Sequence, residues 1–331
     1  MARSFAQVAC LAVVLSLCPV LPAFQAPGGD SLVSIEPRLR PRIVPVANAL
    51  PNPDIRVDSS LVLVPAHVTT AFGASITDLG KKNFEIFEDG VSQTIRYFSK
   101  EEAPLSVGLL FDVSGSMRDK IHKAAEAAAA FFRTSNPQDE FFLVEFSEKP
   151  KLKVPFTTDT DQVYNRISHA RPFGRTALLD AIHMAMEQLK SARNPRKAIV
   201  IVSDGGDNRS RHTAREIRDE LLETDAQVYA MGIFEEDTHK LPAEERNGPR
   251  LLEELAEDSG GREYPVENLD DLPAISEHIS NELRDQYLIG YAPSNDARDG
   301  KFRTIKLVIE GAANSAQLRT YYRHGYYAPI R

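Results

Sequence analysis

The sequence predicts an α/β fold: a doubly wound, mostly parallel sheet with helices on both faces, flanked by small antiparallel β modules. Nearly continuous apolar runs alternate with segments of helical period between Pro104 and Arg284. Such runs are typical of parallel strands that are covered on both faces. Segments that alternate apolar and polar residues precede this region and follow it. The apolar (42%) and charged (26%) fractions are those of a globular protein with a large core.

Residues 1–25 are predicted to be a secretory signal peptide. One arginine precedes an apolar run from Val8 to Leu17, and small residues and prolines follow it. A membrane anchor is the alternative, but the run is shorter than the roughly 20 apolar residues that a spanning helix needs. We therefore expect an exported protein, secreted or periplasmic, without a membrane span after cleavage. Both cysteines, Cys10 and Cys18, lie in this segment, so the mature chain would have no disulfide.

A proline-rich linker and a first β module are expected before the α/β unit. Residues 26–57 contain many prolines and no sustained period, which indicates a linker. Residues 58–103 contain two alternating segments, and Asp89-Gly90 divides the second of them. Because Asp-Gly favours a two-residue turn, this segment is predicted to be a β-hairpin.

The α/β unit is expected at residues 104–285. Predicted buried strands span 105–111, 140–146, 196–203 and 226–233, and 151–156 is predicted to be an antiparallel edge strand. Helices are predicted from Met117 to Phe131 and at 177–190, 213–224, 251–260 and 272–283. Residues 286–331 form a C-terminal β tail of three predicted strands. We expect this tail to pair with the first β module, so that the α/β unit is inserted between them.

Five oxygen-bearing side chains are predicted to meet at one edge of the sheet. They are Asp112, Ser114 and Ser116 after the first strand, Thr176 before the helix at 177–190, and Asp204 after the third strand. In doubly wound sheets ligands bind outside the carboxyl ends of the strands. Because the set lacks sulphur and imidazole, it favours a hard cation, Mg²⁺ or Mn²⁺, over zinc or copper.

The predicted helix near Met117 points its positive end at this place, which opposes a cation. Two carboxylates, Asp112 and Asp204, outweigh a dipole equivalent to roughly half a charge. A dication held there largely by neutral hydroxyls would seek a further anionic oxygen from outside. The alternative interpretation is that the serines only cap a helix and that Asp112 only ends a strand.

Other known kinds of metal, phosphate or catalytic site do not match the residue patterns of this sequence. An EF-hand loop from Asp112 would need glycine and glutamate where Met117 and Lys123 stand. The sequence has no GxxxxGK phosphate loop, no GxSxG elbow and no HExxH zinc motif. His183 lies in a predicted helix and is interpreted as a packed or surface residue. The net charge of −8 does not favour a nucleic-acid partner.

Three segments together resemble a known family. "DVSGSM", "GRTAL" and "VSDGGDN" resemble the metal-ion-dependent adhesion site of the von Willebrand factor type A (VWA) domain. The resemblance implies that Ser114, Ser116 and Thr176 coordinate Mg²⁺ directly. It also implies that Asp112 and Asp204 act through water or orient the ligands, and that a partner's Asp or Glu carboxylate completes the octahedron. The flanking β segments resemble those of exported bacterial VWA-related proteins.

The leading functional hypothesis is an exported, non-catalytic module that binds a protein partner through a metal-bound carboxylate. One alternative is a metal-dependent hydrolase, with Asp204 and Asp207 as the only obvious bases. Another is an envelope-assembly protein that binds through its β modules. Asp207 is predicted to order its loop. The charged loop after the fourth strand is expected on the same face as the metal, with Glu235, Glu236 and Asp237 as partner-binding candidates.

Overall fold

A computed structural model describes residues 61–100, 103–234, 246–311 and 317–330. The predicted signal peptide (1–25), the predicted linker (26–57) and the candidates Glu235, Glu236 and Asp237 lie outside these ranges. Within them, no helix has both the length and the apolar character needed to cross a bilayer.

The described chain forms three sheets. The strands before the α/β unit are β1 (Val62–Thr69), β2 (Phe84–Glu88), β3 (Val91–Gln93) and β4 (Ile95–Ser99). Those of the α/β unit are β5 (Leu105–Asp112), β6 (Glu140–Phe146), β7 (Lys151–Thr157), β8 (Arg196–Ser203), β9 (Ala226–Gly232) and β10 (Arg262–Pro265). Those after it are β11 (Tyr287–Tyr291), β12 (Phe302–Ile309), β13 (Arg319–Tyr322) and β14 (Gly325–Tyr327).

The central sheet has the order β10-β9-β8-β5-β6-β7. All of its strand pairs are parallel except that of β6 with β7, the predicted antiparallel edge. Every residue of β5 is buried, as a strand covered on both faces requires. The predicted fold class is therefore confirmed. The short strand β10 was not predicted, because only four residues form it and none of them is fully buried.

Helices cover both faces of this sheet. They are α1 (Ile121–Arg133), α2 (Thr160–Ser168), α3 (Leu178–Leu189), α4 (Ala214–Thr224), α5 (Gly248–Ser259) and α6 (Leu272–Arg284). One core contains Leu109 and Phe111 of β5 together with residues of α1, α2 and α6. The other core contains Leu110 together with residues of α3, α4 and α5. Alternate side chains of β5 therefore enter opposite cores, as the period of a strand demands.

Two helix predictions differ from the structure. α1 begins at Ile121 rather than near Met117, because residues Gly115–Met117 form a separate 3-10 turn. The Gly115 N–H donates to the Gly174 carbonyl (3.0 Å), which fixes this turn against another loop. α2 was not predicted, because only two of its nine residues, Val163 and Ile167, are buried.

The β segments on either side of the α/β unit form two further sheets together. Their orders are β13-β1-β11-β4 and β14-β12-β2-β3, so each sheet combines strands from before and after the unit. Their buried residues share one core, as in a sandwich. The expected pairing of the two segments is confirmed. The third predicted strand of the tail is in fact two, β13 and β14, which join different sheets.

The predicted hairpin at Asp89-Gly90 joins β2 to β3. Both turn residues have positive φ (48° and 80°), as a type I′ turn requires.

A buried contact links the sandwich to the α/β unit. His67 on β1 and Glu282 on α6 have no exposed side-chain surface, and His67 Nδ1 lies 2.8 Å from Glu282 Oε1. The Tyr264 hydroxyl donates to Glu282 Oε2, and His67 Nε2 lies 3.0 Å from the Ser75 hydroxyl. Burial acts to raise the pKa of Glu282, but the contacts with His67 and Tyr264 outweigh it and lower that pKa. Glu282 is thus a buried carboxylate that depends on these partners.

We expect His67→Ala to lower the free energy of unfolding by about 3–5 kcal/mol, because it leaves the Glu282 carboxylate buried without its main partner. Urea denaturation followed by circular dichroism measures this change. His122→Ala is the matched control, since His122 is exposed on α1, and we expect it to change stability by at most about 0.5 kcal/mol. Equal stabilities of the two variants would show that the contact contributes nothing.

Candidate metal centre

Three loops meet at the carboxyl edge of the central sheet. The first loop (113–120) joins β5 to α1, the second (169–177) joins α2 to α3, and the third (204–213) joins β8 to α4. β5 and β8 are parallel neighbours, so they end at the same edge. The five predicted site residues are the last residue of β5, Asp112, and residues of these three loops.

Asp112 is fully buried and accepts two hydrogen bonds. Its Oδ1 accepts from the Ser114 N–H (2.8 Å), and its Oδ2 accepts from the Ser203 hydroxyl (2.5 Å). Ser203 was not among the site residues predicted from the sequence. A signal was present, because β5 and β8 were both predicted, and two adjacent parallel strands place their final polar residues side by side. Phe111 pairs with Val202, so the next residues, Asp112 and Ser203, are neighbours.

The negative charge at this place is not neutralised by the protein. Burial, and to a lesser extent the nearby charge of Asp204, raise the pKa of Asp112 to about 7, against the hydrogen bonds from Ser203 and Ser114. In the described part of the chain, neither carboxylate has a cationic side chain as a partner. Buried charges in proteins are normally paired or bound to metal. The centre therefore lacks positive charge.

Two hydroxyl groups stand beside these carboxylates. The oxygens of Ser114 and Ser116 are 3.1 Å apart; Ser114 is buried, whereas Ser116 is exposed. Adjacent ligands of an octahedral Mg²⁺ ion, with bonds of about 2.0–2.1 Å, are separated by about 2.9 Å. The separation of the two hydroxyls is thus close to what Mg²⁺ needs, although a hydrogen bond between them also accounts for it.

Thr176 is held in place by its backbone. Its N–H donates to Asn208 Oδ1 (3.1 Å), and its carbonyl accepts from the Asn208 N–H (3.0 Å). Thr176 is only 4% exposed, and within the described ranges its hydroxyl has no hydrogen-bond partner. Asn208 was not identified from the sequence, since its role depends on contact between loops that are far apart in the chain. The second and third loops are therefore joined at the predicted ligand.

Further backbone contacts join the first and second loops. In addition to the bond from Gly115 to Gly174, the Phe173 N–H donates to the Val113 carbonyl (2.8 Å). Asp207 has the loop-ordering role that was predicted for it. Its Oδ2 accepts from the Leu179 N–H (2.8 Å) and from the Ser210 hydroxyl (2.6 Å). The three loops thus form one interconnected structure around the five residues.

Gly205, which follows Asp204, is in tight contact with the start of α5. Its φ is +76°, and a Cβ at this position would lie 2.8 Å from the backbone of Gly248. Its N–H donates to the Ser203 hydroxyl (3.0 Å), the same group that donates to Asp112. The third loop can follow this path because neither residue has a side chain.

His183 is a half-exposed residue of α3, and its ring stacks on that of His212 with the centroids 4.2 Å apart. Its Nδ1 lies 2.8 Å from Glu220 Oε2, and the ligand atoms of His183, Glu187 and Glu220 lie within 4.8 Å of one another. Glu187 forms an ion pair with Lys190. These contacts account for the cluster without a metal and agree with the interpretation of His183 as a surface residue.

Comparison with protein families identifies the central unit. Residues 107–206 match the family model of the von Willebrand factor type A domain, and this range contains all five candidate ligands. The chain contains a VWA domain. The matched range runs from β5 to the start of the third loop, and α4, α5 and α6 continue the α/β unit beyond it. Comparison with curated protein sequences gave no match.

Solved structures with low sequence identity are similar to parts of the chain. BatB from Bacteroides thetaiotaomicron is 21% identical, with 54% of this chain and 98% of that chain covered and a TM-score of 0.43. The von Willebrand factor type A protein from Catenulispora acidiphila is 12% identical, with 83% and 75% covered and a TM-score of 0.47. The PilB minor pilin from Streptococcus sanguinis is 17% identical, with 56% and 63% covered and a TM-score of 0.43.

Gly205→Ala is expected to destabilise the VWA domain more than a matched glycine substitution elsewhere. Gly73 provides the control, because its φ is +84° and a Cβ there would have no neighbour within 4 Å. Gly73→Ala is expected to cost about 1–2 kcal/mol for the left-handed backbone alone. Gly205→Ala should cost about 1–3 kcal/mol more, because the new methyl group meets the Gly248 backbone. Chemical denaturation measures both, and similar losses would refute a tight contact.

Proposed function

We propose that this protein is an exported, metal-dependent protein-binding module whose VWA domain captures a carboxylate of its partner. The observation that carries the proposal is the pair of acids, Asp112 and Asp204, which have no cationic partner among the described residues. Asp112 also lies beside Ser114 of the first loop, whose hydroxyl is close to that of Ser116. Mg²⁺, or Mn²⁺ in its place, would supply the missing positive charge. Oxygen donors of this kind are the ones that hard divalent cations prefer.

The proposed roles follow from burial and contacts. Ser114, Ser116 and Thr176 would bind the metal through their hydroxyls. Asp112 already receives two hydrogen bonds, so its role would be to hold Ser114 and to balance charge, with contact through water. Asp204 would act in the same way. The Ser203 hydroxyl and the Asn208 side chain would position these residues rather than touch the metal.

A carboxylate is the partner group that this ligand set favours. When bound, the metal supplies a strongly electrophilic centre, because its three direct protein ligands would be neutral hydroxyls. Ser116 is exposed, so an external group can approach from its side. Among protein side chains, those of Asp and Glu offer the anionic oxygen that a hard cation accepts best.

The residues around the candidate metal centre favour binding over catalysis. A hydrolase would need a general base close to the metal. Asp207 is occupied by the Leu179 N–H and the Ser210 hydroxyl, and His183 pairs with Glu220. Secretion or retention in the bacterial cell envelope follows from the predicted signal peptide and belongs to the proposal.

We expect Mg²⁺ to stabilise the wild-type protein. At a concentration about 100 times the dissociation constant, a ligand that binds only the folded state adds about 2.7 kcal/mol. Thermal unfolding in Mg²⁺ and in chelator measures the gain. Asp112→Asn should abolish this gain, yet keep or raise the melting temperature in chelator, because it removes a buried charge.

Ser191→Ala is the control for that experiment, since Ser191 is an exposed serine beyond the end of α3, and we expect it to retain the full gain. If Mg²⁺ and Mn²⁺ leave the wild-type melting temperature unchanged, the proposed metal centre is wrong.

Partner capture should require both the metal and Asp112. We expect a pull-down with the mature protein to recover a partner in Mg²⁺, and to lose it in chelator and with Asp112→Ala. Pretreatment of the partner with a carbodiimide and an amine, which blocks carboxylates, should also prevent recovery. A partner that is recovered equally in chelator would indicate binding through the flanking β modules instead.

A further inference from the structure

The three loops of the metal centre carry a set of exposed arginines, which we call the basic rim. Its members are Arg118 on the first loop, Arg171 and Arg175 on the second, and Arg209 on the third, and each of them is exposed. The chain as a whole carries a net charge of −8. The basic rim is therefore a local departure from the general charge of the molecule.

The basic rim lies close to the proposed ligands. Arg175 directly precedes Thr176, and Arg118 is two residues after Ser116. Consecutive Cα atoms are about 3.8 Å apart, so each of these arginines has its Cα within about 8 Å of that of a ligand. The hydrogen bonds of Gly115 with Gly174 and of Asn208 with Thr176 hold the three loops together. All four arginines thus belong to loops that meet at one centre.

The described part of the chain provides no ion pair for any of these four guanidinium groups. Arg211, next to them in the sequence, differs because it pairs with Asp180 (3.5 Å). Arginines elsewhere are paired as well, such as Arg166 with Glu145 and Arg218 with Asp258. Among the described residues of the loops at this edge, the exposed acids are Asp119 and Glu148, and Lys149 offsets one of them. The basic rim therefore presents an excess of positive charge.

One large apolar side chain lies within this charged surface. Phe173, on the second loop, is 54% exposed, and its N–H donates to the Val113 carbonyl (2.8 Å). Aromatic residues fixed in this way are typical anchors of protein interfaces. Folding does not account for its exposure, because burial of a phenylalanine normally stabilises a protein.

We propose that the basic rim and Phe173 receive an acidic segment of a partner protein. One Asp or Glu of this segment would reach the metal, and this part rests on the function proposed above. Further acids on either side would face the arginines, and an apolar side chain would pack on Phe173. The charge complementarity is what selects this partner. A nucleic acid would extend beyond the rim onto a chain whose net charge repels it.

Synthetic peptides of twelve residues can test the inference. Each contains one central aspartate and one leucine, and the remaining positions are rich in glutamate, glutamine or lysine. In Mg²⁺ at low salt, we expect the glutamate peptide to bind about tenfold more tightly than the glutamine peptide, and the lysine peptide to bind most weakly. The advantage of glutamate should shrink between 50 and 500 mM salt, since exposed charges are screened.

Arg171→Gln/Arg175→Gln should remove most of the preference for glutamate and leave stabilisation by Mg²⁺ and binding of the glutamine peptide intact. Arg96→Gln/Arg319→Gln is the control with the same change in charge, because both residues are exposed on β4 and β13 of the sandwich, and it should keep the preference. Phe173→Ala should weaken the binding of the leucine-containing peptides more than the binding of matched peptides in which serine replaces leucine.

The outcomes separate the two proposals. Equal binding of the glutamate and glutamine peptides, both dependent on Mg²⁺, would overturn the acidic-segment inference and leave carboxylate capture standing. Stabilisation by Mg²⁺ without binding of any aspartate peptide would overturn the inference and count against capture itself. Displacement of the glutamate peptide by a short DNA duplex at equal charge concentration would show that the rim binds polyanions in general, which also overturns it.

Discussion

The cost of a buried carboxylate determines the structure of the candidate metal centre. Asp112 ends a strand whose other residues are all buried, so its charge lies where water does not compensate it. Hydrogen bonds from Ser114 and Ser203 reduce that cost but do not remove it, since the pKa of Asp112 remains raised to about 7. Ser114 belongs to a loop that another loop holds in place, and Ser203 ends β8 directly before the third loop. The buried charge of Asp112 thus accounts for the polar groups at the strand ends, for the contacts between the loops and for the proposed need for a cation.

The loops around this charge are held to one another by hydrogen bonds and by close contacts of glycines. Gly115 and Gly174 approach each other closely, Gly205 lies against Gly248, and Asn208 bonds to Thr176 in both directions. Positions held by several such bonds are suited to bind an ion without a large rearrangement, which lowers the entropic cost of binding. The side chains at the surface of the same loops, Phe173 and the basic rim, are free to contact a partner. The same loops therefore hold the candidate ligands in fixed positions and carry exposed side chains that can adjust to a partner.

Much of this was predictable from the sequence. The continuous apolar runs of β5, β8 and β9 identified the parallel sheet, and the motif around Asp112 placed oxygen atoms at its edge. Features that depend on contacts between distant segments were not predictable. Ser203 and Asn208 act only because loops far apart in sequence meet. The start of α1 at Ile121 depends on the bond between Gly115 and Gly174, and α2 and β10 bury too few residues to give a clear period.

The VWA domain leaves the sandwich after β4 and returns to it at β11, and these two strands are hydrogen-bonded neighbours, with Ser99 opposite Leu288. While the sandwich is folded, the two ends of the inserted chain are tethered to each other. Such a tether restricts the unfolded insert as a disulfide would, and for a loop of more than 100 residues the restriction is worth on the order of 4–5 kcal/mol. The folded sandwich therefore stabilises the inserted VWA domain much as a crosslink between its two ends would. The same residues, cut out of the chain, would lack this stabilisation. Loss of the sandwich would remove this contribution even with every contact around Asp112 intact.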